Sequence, residues 1–235
     1  MRLLREVLRK LKYKINFSGR SKEFKFSYYG NSNQNEDLTR LMNYYGSDKG
    51  GKNNQHNYSN YYSEIFFHKK KDIKNLLEIG LGTNDINLES NMGSHGIPLA
   101  SLRAWRDYFI NANIYGADID KKILNNENRI KTFYVDQTDP VSIFKLFQKI
   151  GDIKFDIILD DGLHNFEANI CFFENSIGHL RNDGTYIIED IYYKNQKKFL
   201  EYFKNKNYNY SLVNIYHKNN IKDNCLIIIR KNLQN

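Results

Sequence analysis

From residue 75 onward, short apolar runs of strand length alternate with longer amphipathic stretches, and the earlier runs close on acidic residues or glycine. Runs 76–79, 114–119, 132–135, 155–159 and 186–188 read as strands, and 98–109, 140–149, 165–180 and 196–203 as helices. Pro98 and Pro140 suit first helical turns, where a missing N–H costs nothing. Alternation of this kind demands a parallel sheet with helices on both faces. The last two runs, 210–216 and 225–230, have no helix between them and predict an antiparallel hairpin. The expected fold is therefore α/β: a Rossmann-like, doubly wound, mostly parallel seven-stranded sheet with a C-terminal antiparallel hairpin.

Ligands of such sheets bind beyond the carboxyl ends of the strands, so residues that close the strands are the candidate functional ones. The run Phe155-Asp156-Ile157-Ile158-Leu159-Asp160-Asp161-Gly162-Leu163-His164 and the run Tyr186-Ile187-Ile188-Glu189-Asp190 both end in acid clusters. If these strands are neighbours, Asp161, Glu189 and Asp190 converge, and like charges so placed call for a cation among them. An all-oxygen donor set suits a hard ion such as Mg²⁺. His164, one turn away, is placed to take a proton.

Three further strand ends describe a second pocket. Glu78-Ile79-Gly80-Leu81-Gly82 forms a bend where glycines allow close backbone approach. A dinucleotide fingerprint would continue with a small residue at position 85, which is Asp85, and no helix follows at once. Asp118, at the end of Tyr115-Gly116-Ala117-Asp118-Ile119, is placed to hold a ribose diol, and Asp136, before Gln137, to accept from an adenine amino group. A nucleoside pocket with no phosphate site suits S-adenosylmethionine.

These motifs resemble the class I S-adenosylmethionine-dependent methyltransferases, and more narrowly the metal-dependent sugar O-methyltransferases of macrolide-glycoside type. The resemblance runs over residues 46–230. It is carried by Gly46-Ser47-Asp48-Lys49 with His56 and Tyr58, by the Glu78–Gly82 bend, by Ser101-Leu102-Arg103-Ala104-Trp105-Arg106-Asp107-Tyr108-Phe109, and by the two acid clusters. It implies Asp161, Glu189 and Asp190 as ligands of a divalent metal, with Mg²⁺ expected, and His164 as general base. It implies a methyl-donor site of Ser47, Lys49, Tyr58, Glu78, Gly80, Gly82, Asp118, Ile119, Asp136, Gln137 and Asp160. The loop 84–97 is this chain's own and is expected to shape the acceptor site.

Composition narrows partners and compartment. The 235 residues carry 35 Lys+Arg against 27 Asp+Glu, a net +8, which favours an anionic acceptor. The expected substrate is a nucleotide-activated sugar for surface or capsular polysaccharide. The alternative is the hydroxyl of a small aromatic or natural-product glycoside. The basic residues do not interleave with aromatics as in RNA-binding modules, so no nucleic-acid partner is expected. No run approaches the ~18 apolar residues of a spanning helix. Cys171 and Cys225 lack metal-ligand spacing and read as reduced thiols of a cytoplasmic protein. The chain divides into an arm, 1–45, and a catalytic domain, 46–235. In the arm, Leu3, Leu4, Val7, Leu8 and Leu11 at helical spacing among Arg2, Arg5, Arg9, Lys10 and Lys12 predict a basic amphipathic helix over 1–14. Such a helix packs on its own domain or on a second subunit of a homo-oligomer, or makes peripheral contact with an anionic membrane.

Overall fold

The structure, a computed structural model, describes residues 11–18, 21–28, 37–52 and 56–232. In chain order the elements are β1 (Leu11–Ser18), β2 (Ser21–Tyr28), α1 (Asp37–Tyr45), α2 (Tyr58–Phe66), β3 (Asn75–Ile79), α3 (Ala100–Tyr108), β4 (Asn113–Asp118) and β5 (Ile130–Tyr134). These are followed by α4 (Pro140–Ile150), β6 (Phe155–Asp160), α5 (Phe166–Ser176), β7 (Leu180–Ile188), α6 (Gln196–Lys204), β8 (Tyr208–Ile215) and β9 (Cys225–Lys231).

All nine strands join one sheet in the order β1-β2-β8-β9-β7-β6-β3-β4-β5. Strands β3 to β7 run parallel to one another, while β9 is antiparallel to both β7 and β8. The seven expected strands and the closing hairpin are present. The order reverses between β3 and β6, and at that switch point crossover helices diverge to opposite faces and leave a crevice.

The arm departs from expectation. Residues 11–14, read as the end of a helix, are the start of β1, which pairs antiparallel with β2; β2 in turn runs parallel to β8. Leu11, Tyr13, Ile15 and Phe17 alternate with Lys12, Lys14 and Asn16, and Phe24, Phe26 and Tyr28 alternate likewise. This is a period of two, and it outweighs the helical spacing running in from upstream. The rest of the predicted helix, residues 1–10, lies outside the described residues, and with it the proposed membrane contact.

Strand periodicity splits the core into two layers. Leu76, Ile114, Ile157 and Leu159 face α1 to α3, against Leu38, Met42, Tyr58, Tyr62 and Trp105. Leu77, Ile79, Tyr115 and Ile158 face α4 to α6, against Leu146, Phe147, Phe172, Phe173, Phe199 and Phe203. Burying each such side chain contributes roughly 1.5–3 kcal/mol, so the central strands are the least movable part of the molecule. Their carboxyl ends inherit that rigidity. Cys225 is buried and Cys171 half-buried, and they are not paired with each other. No described helix is long and apolar enough to cross a membrane.

Candidate active site

A pocket of about 390 Å³ opens at the carboxyl ends of β3 to β7. Its floor depends on two glycines. Gly80 has φ +82°, and a Cβ there would stand 1.9 Å from the Asp161 carbonyl oxygen, so the ends of β3 and β6 approach this closely only without a side chain. Gly82, at φ +79°, leaves room for the Met92 sulfur, which a Cβ would meet at 2.4 Å.

Ser47, Lys49, Asp118, Ile119, Asp136 and Gln137 all line this pocket. Asp118 also secures the bend, accepting from the Leu81 N–H at 2.6 Å and the Asp120 N–H at 2.8 Å. Asp136 accepts from the Thr138 N–H and hydroxyl. Gln137 works as a clamp: its amide nitrogen donates to both Asp160 oxygens at 2.7 and 2.9 Å, and its oxygen accepts from the Leu163 N–H at 2.8 Å. Asn165 caps α5 by accepting from the Ala168 N–H, fixing the chain immediately after His164.

On the wall beyond β6 and β7 lies a set of buried charges. The Lys49 ammonium, 2% exposed, donates to Asp161 Oδ2 and to Glu189 Oε2 (2.6 Å), with Glu78 Oε1 at 3.8 Å. Burial alone would lower this lysine, but Asp161, Glu189, Asp48 and Glu78 around it hold it well above the usual range. Asp161 is half-buried, yet Lys49 and His164 keep its carboxyl below the ordinary value. Burial raises Asp190, and it pushes Glu78 up to about 7 against the pull of Lys49.

Asp161, His164 and Asp190 each offer one ligand atom within 4.8 Å of the others. His164 Nε2 lies 3.7 Å from Asp190 Oδ2. Both His164 and Asp190 sit at φ +55°, a conformation costing a non-glycine residue of order 1–3 kcal/mol. The strain turns both side chains toward one point. Two carboxylates converging on a pocket wall fit a divalent cation, and the imidazole beside them is placed for proton transfer.

Four expected ligands sit differently. Glu78 is fully buried and turned away from the pocket, accepting from Ser101 Oγ and Trp105 Nε1, both at 2.7 Å. Asp160 is fully buried beneath the pocket, held by Gln137 and Asn169, and burial raises it to about 7. Glu189 is not one of the converging trio: Lys49 takes one oxygen and the Tyr62 hydroxyl the other. Tyr58, expected at the donor, lies behind Asp190 and donates to its Oδ1 at 2.5 Å. Adjacent strand residues point to opposite faces, so a run of acids cannot all enter one pocket.

Comparisons with known proteins fit this geometry. No family model matches the chain. Over 154 residues, 66% of this chain, it is 34% identical to the 8-demethyl-8-α-L-rhamnosyl tetracenomycin-C 2′-O-methyltransferase of Streptomyces olivaceus, covering 37% of that protein. It is 33% identical to the demethylmacrocin O-methyltransferase of Streptomyces fradiae, over 66% of this chain and 36% of that protein. Among solved structures, the MycE methyltransferase of the mycinamycin biosynthetic pathway, in complex with Mg and SAH, superposes with a TM-score of 0.56 at 30% identity, over 69% of this chain and 42% of that one. The chain is a homologue of sugar O-methyltransferases and has the class I S-adenosylmethionine-dependent methyltransferase fold. It spans little more than a third of the length of these two curated relatives.

The loop 84–97, expected at the acceptor site, enters the pocket wall through Asn87, Leu88, Glu89, Ser90 and Met92. One feature of this methyltransferase fold escaped the sequence reading. The pocket is acidic, although the chain is basic: Asp48, Glu89, Asp118, Asp136, Asp161 and Asp190 line it, with Lys49 as the one lysine or arginine among the described lining residues.

Proposed function

We propose that this protein transfers a methyl group from S-adenosylmethionine to a sugar hydroxyl of a natural-product glycoside. A divalent cation, expected to be Mg²⁺, would assist, and His164 would act as general base. The observation that carries this reading is the union of the two sites in one pocket: the glycine bend with Asp118 and Asp136 on one side, and Asp161, His164 and Asp190 on the other.

The Gly80–Gly82 backbone would lie along the methionine part of the donor, with Asp118 accepting from its ribose hydroxyls and Asp136 and Gln137 beside its adenine. Asp161 and Asp190 would hold the cation, with Glu189 adding charge beside Asp161 through their shared Lys49. When bound, the cation supplies Lewis-acid stabilisation to a hydroxyl whose pKa is far above neutral. His164 takes the hydroxyl proton as the oxygen attacks the sulfonium methyl; the C–S bond breaks and the sulfur leaves neutral.

The pocket's acidity bears on the acceptor. A phosphate charge ~6 Å from one carboxylate loses roughly 3 kcal/mol at an effective dielectric of ~20. The +8 net charge that favoured a nucleotide-activated sugar therefore lies outside the described lining, where it cannot offset this repulsion. A neutral glycoside meets no such barrier, and the names of the relatives point to glycoside acceptors. Incubation with donor, Mg²⁺ and a panel of rhamnosylated polyketides, macrolide glycosides, catechols and nucleotide sugars, read by mass spectrometry, tests the choice. Methylation of neutral glycosides is expected. Methylation confined to nucleotide sugars would reverse the acceptor assignment.

A further inference from the structure

The tyrosines of α2 are placed to do more than fill the core. Tyr58 and Tyr62 are four residues apart and so lie on one face of the helix, and both are 0% exposed. Their hydroxyls reach two consecutive carboxylates: Tyr58 donates to Asp190 Oδ1 and Tyr62 to Glu189 Oε1, each at 2.5 Å. The rings are fixed by their neighbours. His56 stacks on Tyr58 at 4.8 Å, and Tyr62 packs between Phe66 and Trp105 at 6.1 and 5.6 Å.

Each tyrosine occupies one oxygen of its carboxylate and leaves the other facing the charged cluster. The remaining Glu189 oxygen meets Lys49 at 2.6 Å, and the remaining Asp190 oxygen faces His164 at 3.7 Å. Glu189 and Asp190 directly follow the end of β7, and Asp190 sits at φ +55°, so strand geometry does not fix where their oxygens point and the tyrosine hydroxyls supply that hold. We infer that Tyr58 is a positioning residue that sets the orientation of Asp190 for binding a divalent cation, and that Tyr62 fixes Glu189 so that its other oxygen holds Lys49 beside Asp161. The helix thus acts as a template behind the site, in the way hydrogen-bond partners of ligating side chains orient them in metal centres. This inference rests on the proposed metal-assisted function, and nothing in the sequence beyond an aromatic helix face marks it.

Tyr58→Phe and Tyr62→Phe keep the rings and remove only the hydroxyls. Mn²⁺ affinity, read from the electron paramagnetic resonance of the free ion, is expected to fall by ~10–100-fold in Tyr58→Phe, whose partner Asp190 is a ligand, and by less in Tyr62→Phe, which reaches Asp161 only through Glu189 and Lys49. Affinity for S-adenosylhomocysteine, measured by calorimetry, is expected to stay at the wild-type level. Mn²⁺ affinity equal to wild type in folded variants would overturn the positioning role and leave the proposed function standing. Wild-type protein that fails to bind Mn²⁺ at all would remove both. Should Tyr62→Phe fail to fold, Tyr58→Phe decides, because the Asp190 side chain is 13% exposed and can take a water in place of the lost hydroxyl.

Discussion

Replacing His164 with alanine is expected to slow methyl transfer by ~10²–10⁴-fold, the usual worth of a positioned general base, while leaving donor affinity unchanged. The expectation follows from where the residue is held. Gln137 anchors the Leu163 N–H, Asp160 accepts from the Gly162 N–H at 3.3 Å, and Asn165 caps the helix that follows, so the turn carrying His164 is pinned on both sides. Its Nε2 faces the Asp190 carboxylate, and its buried Nδ1 has no hydrogen-bond partner among the described residues. A ring held in a strained backbone conformation beside two carboxylates is poised for proton transfer rather than for packing. Single-turnover rates at saturating donor give the comparison. A rate within a factor of about two of wild type, where a real base is worth ~10² or more, would remove His164 from the base role.

Lys49→Met should produce the largest loss of stability, about 3–5 kcal/mol, because it strips the counter-charge from carboxylates that have no access to water. Glu189 and Glu78 are 0% exposed, and Lys49 is the cation that links them to Asp161. Methionine preserves the aliphatic stem, so packing changes little and the charge is what is tested. In a chain of this size each kcal/mol moves the melting temperature by about 2–4 °C. The effect should also depend on pH. Burial holds Glu78 up to about 7, so the folded protein binds that proton more tightly than the unfolded chain does, and stability falls as pH rises toward that value. Without Lys49 the penalty deepens, so the deficit should be larger at about pH 8 than at about pH 5. Differential scanning fluorimetry at both pH values reads the sign. A variant as stable as wild type at the higher pH would mean that the carboxylates are neutral, and the description of the charged cluster would fail.

Much of the sheet was legible because strand and helix periods differ and because β3 to β7 each close on or just before an acid or glycine. The parts that were not legible have physical causes. At the N-terminus, Leu11 closes a helical pattern and opens an alternating one, and pairing with β2 decides between them. Along β6 and β7 the sequence shows which residues reach the strand ends but not which way each points. Asp160 and Glu189 therefore looked equivalent to Asp161 and Asp190, although they turn to Gln137, Asn169, Lys49 and Tyr62. Glu78 resembled a ligand until Ser101 and Trp105 of α3 came across to it in the fold. The net charge was the least informative feature, since it averages over a surface while the pocket selects its own residues.

The proposed methyl transfer depends on a cation held at the ends of β6 and β7 next to the methyl donor. Its most direct test is methyl transfer to a neutral glycoside acceptor by protein stripped with a chelator, before and after Mg²⁺ is restored, alongside Asp161→Asn. Stripped protein should be inactive and recover with Mg²⁺, and the variant should stay inactive under both conditions. Full turnover by the stripped protein would contradict the account.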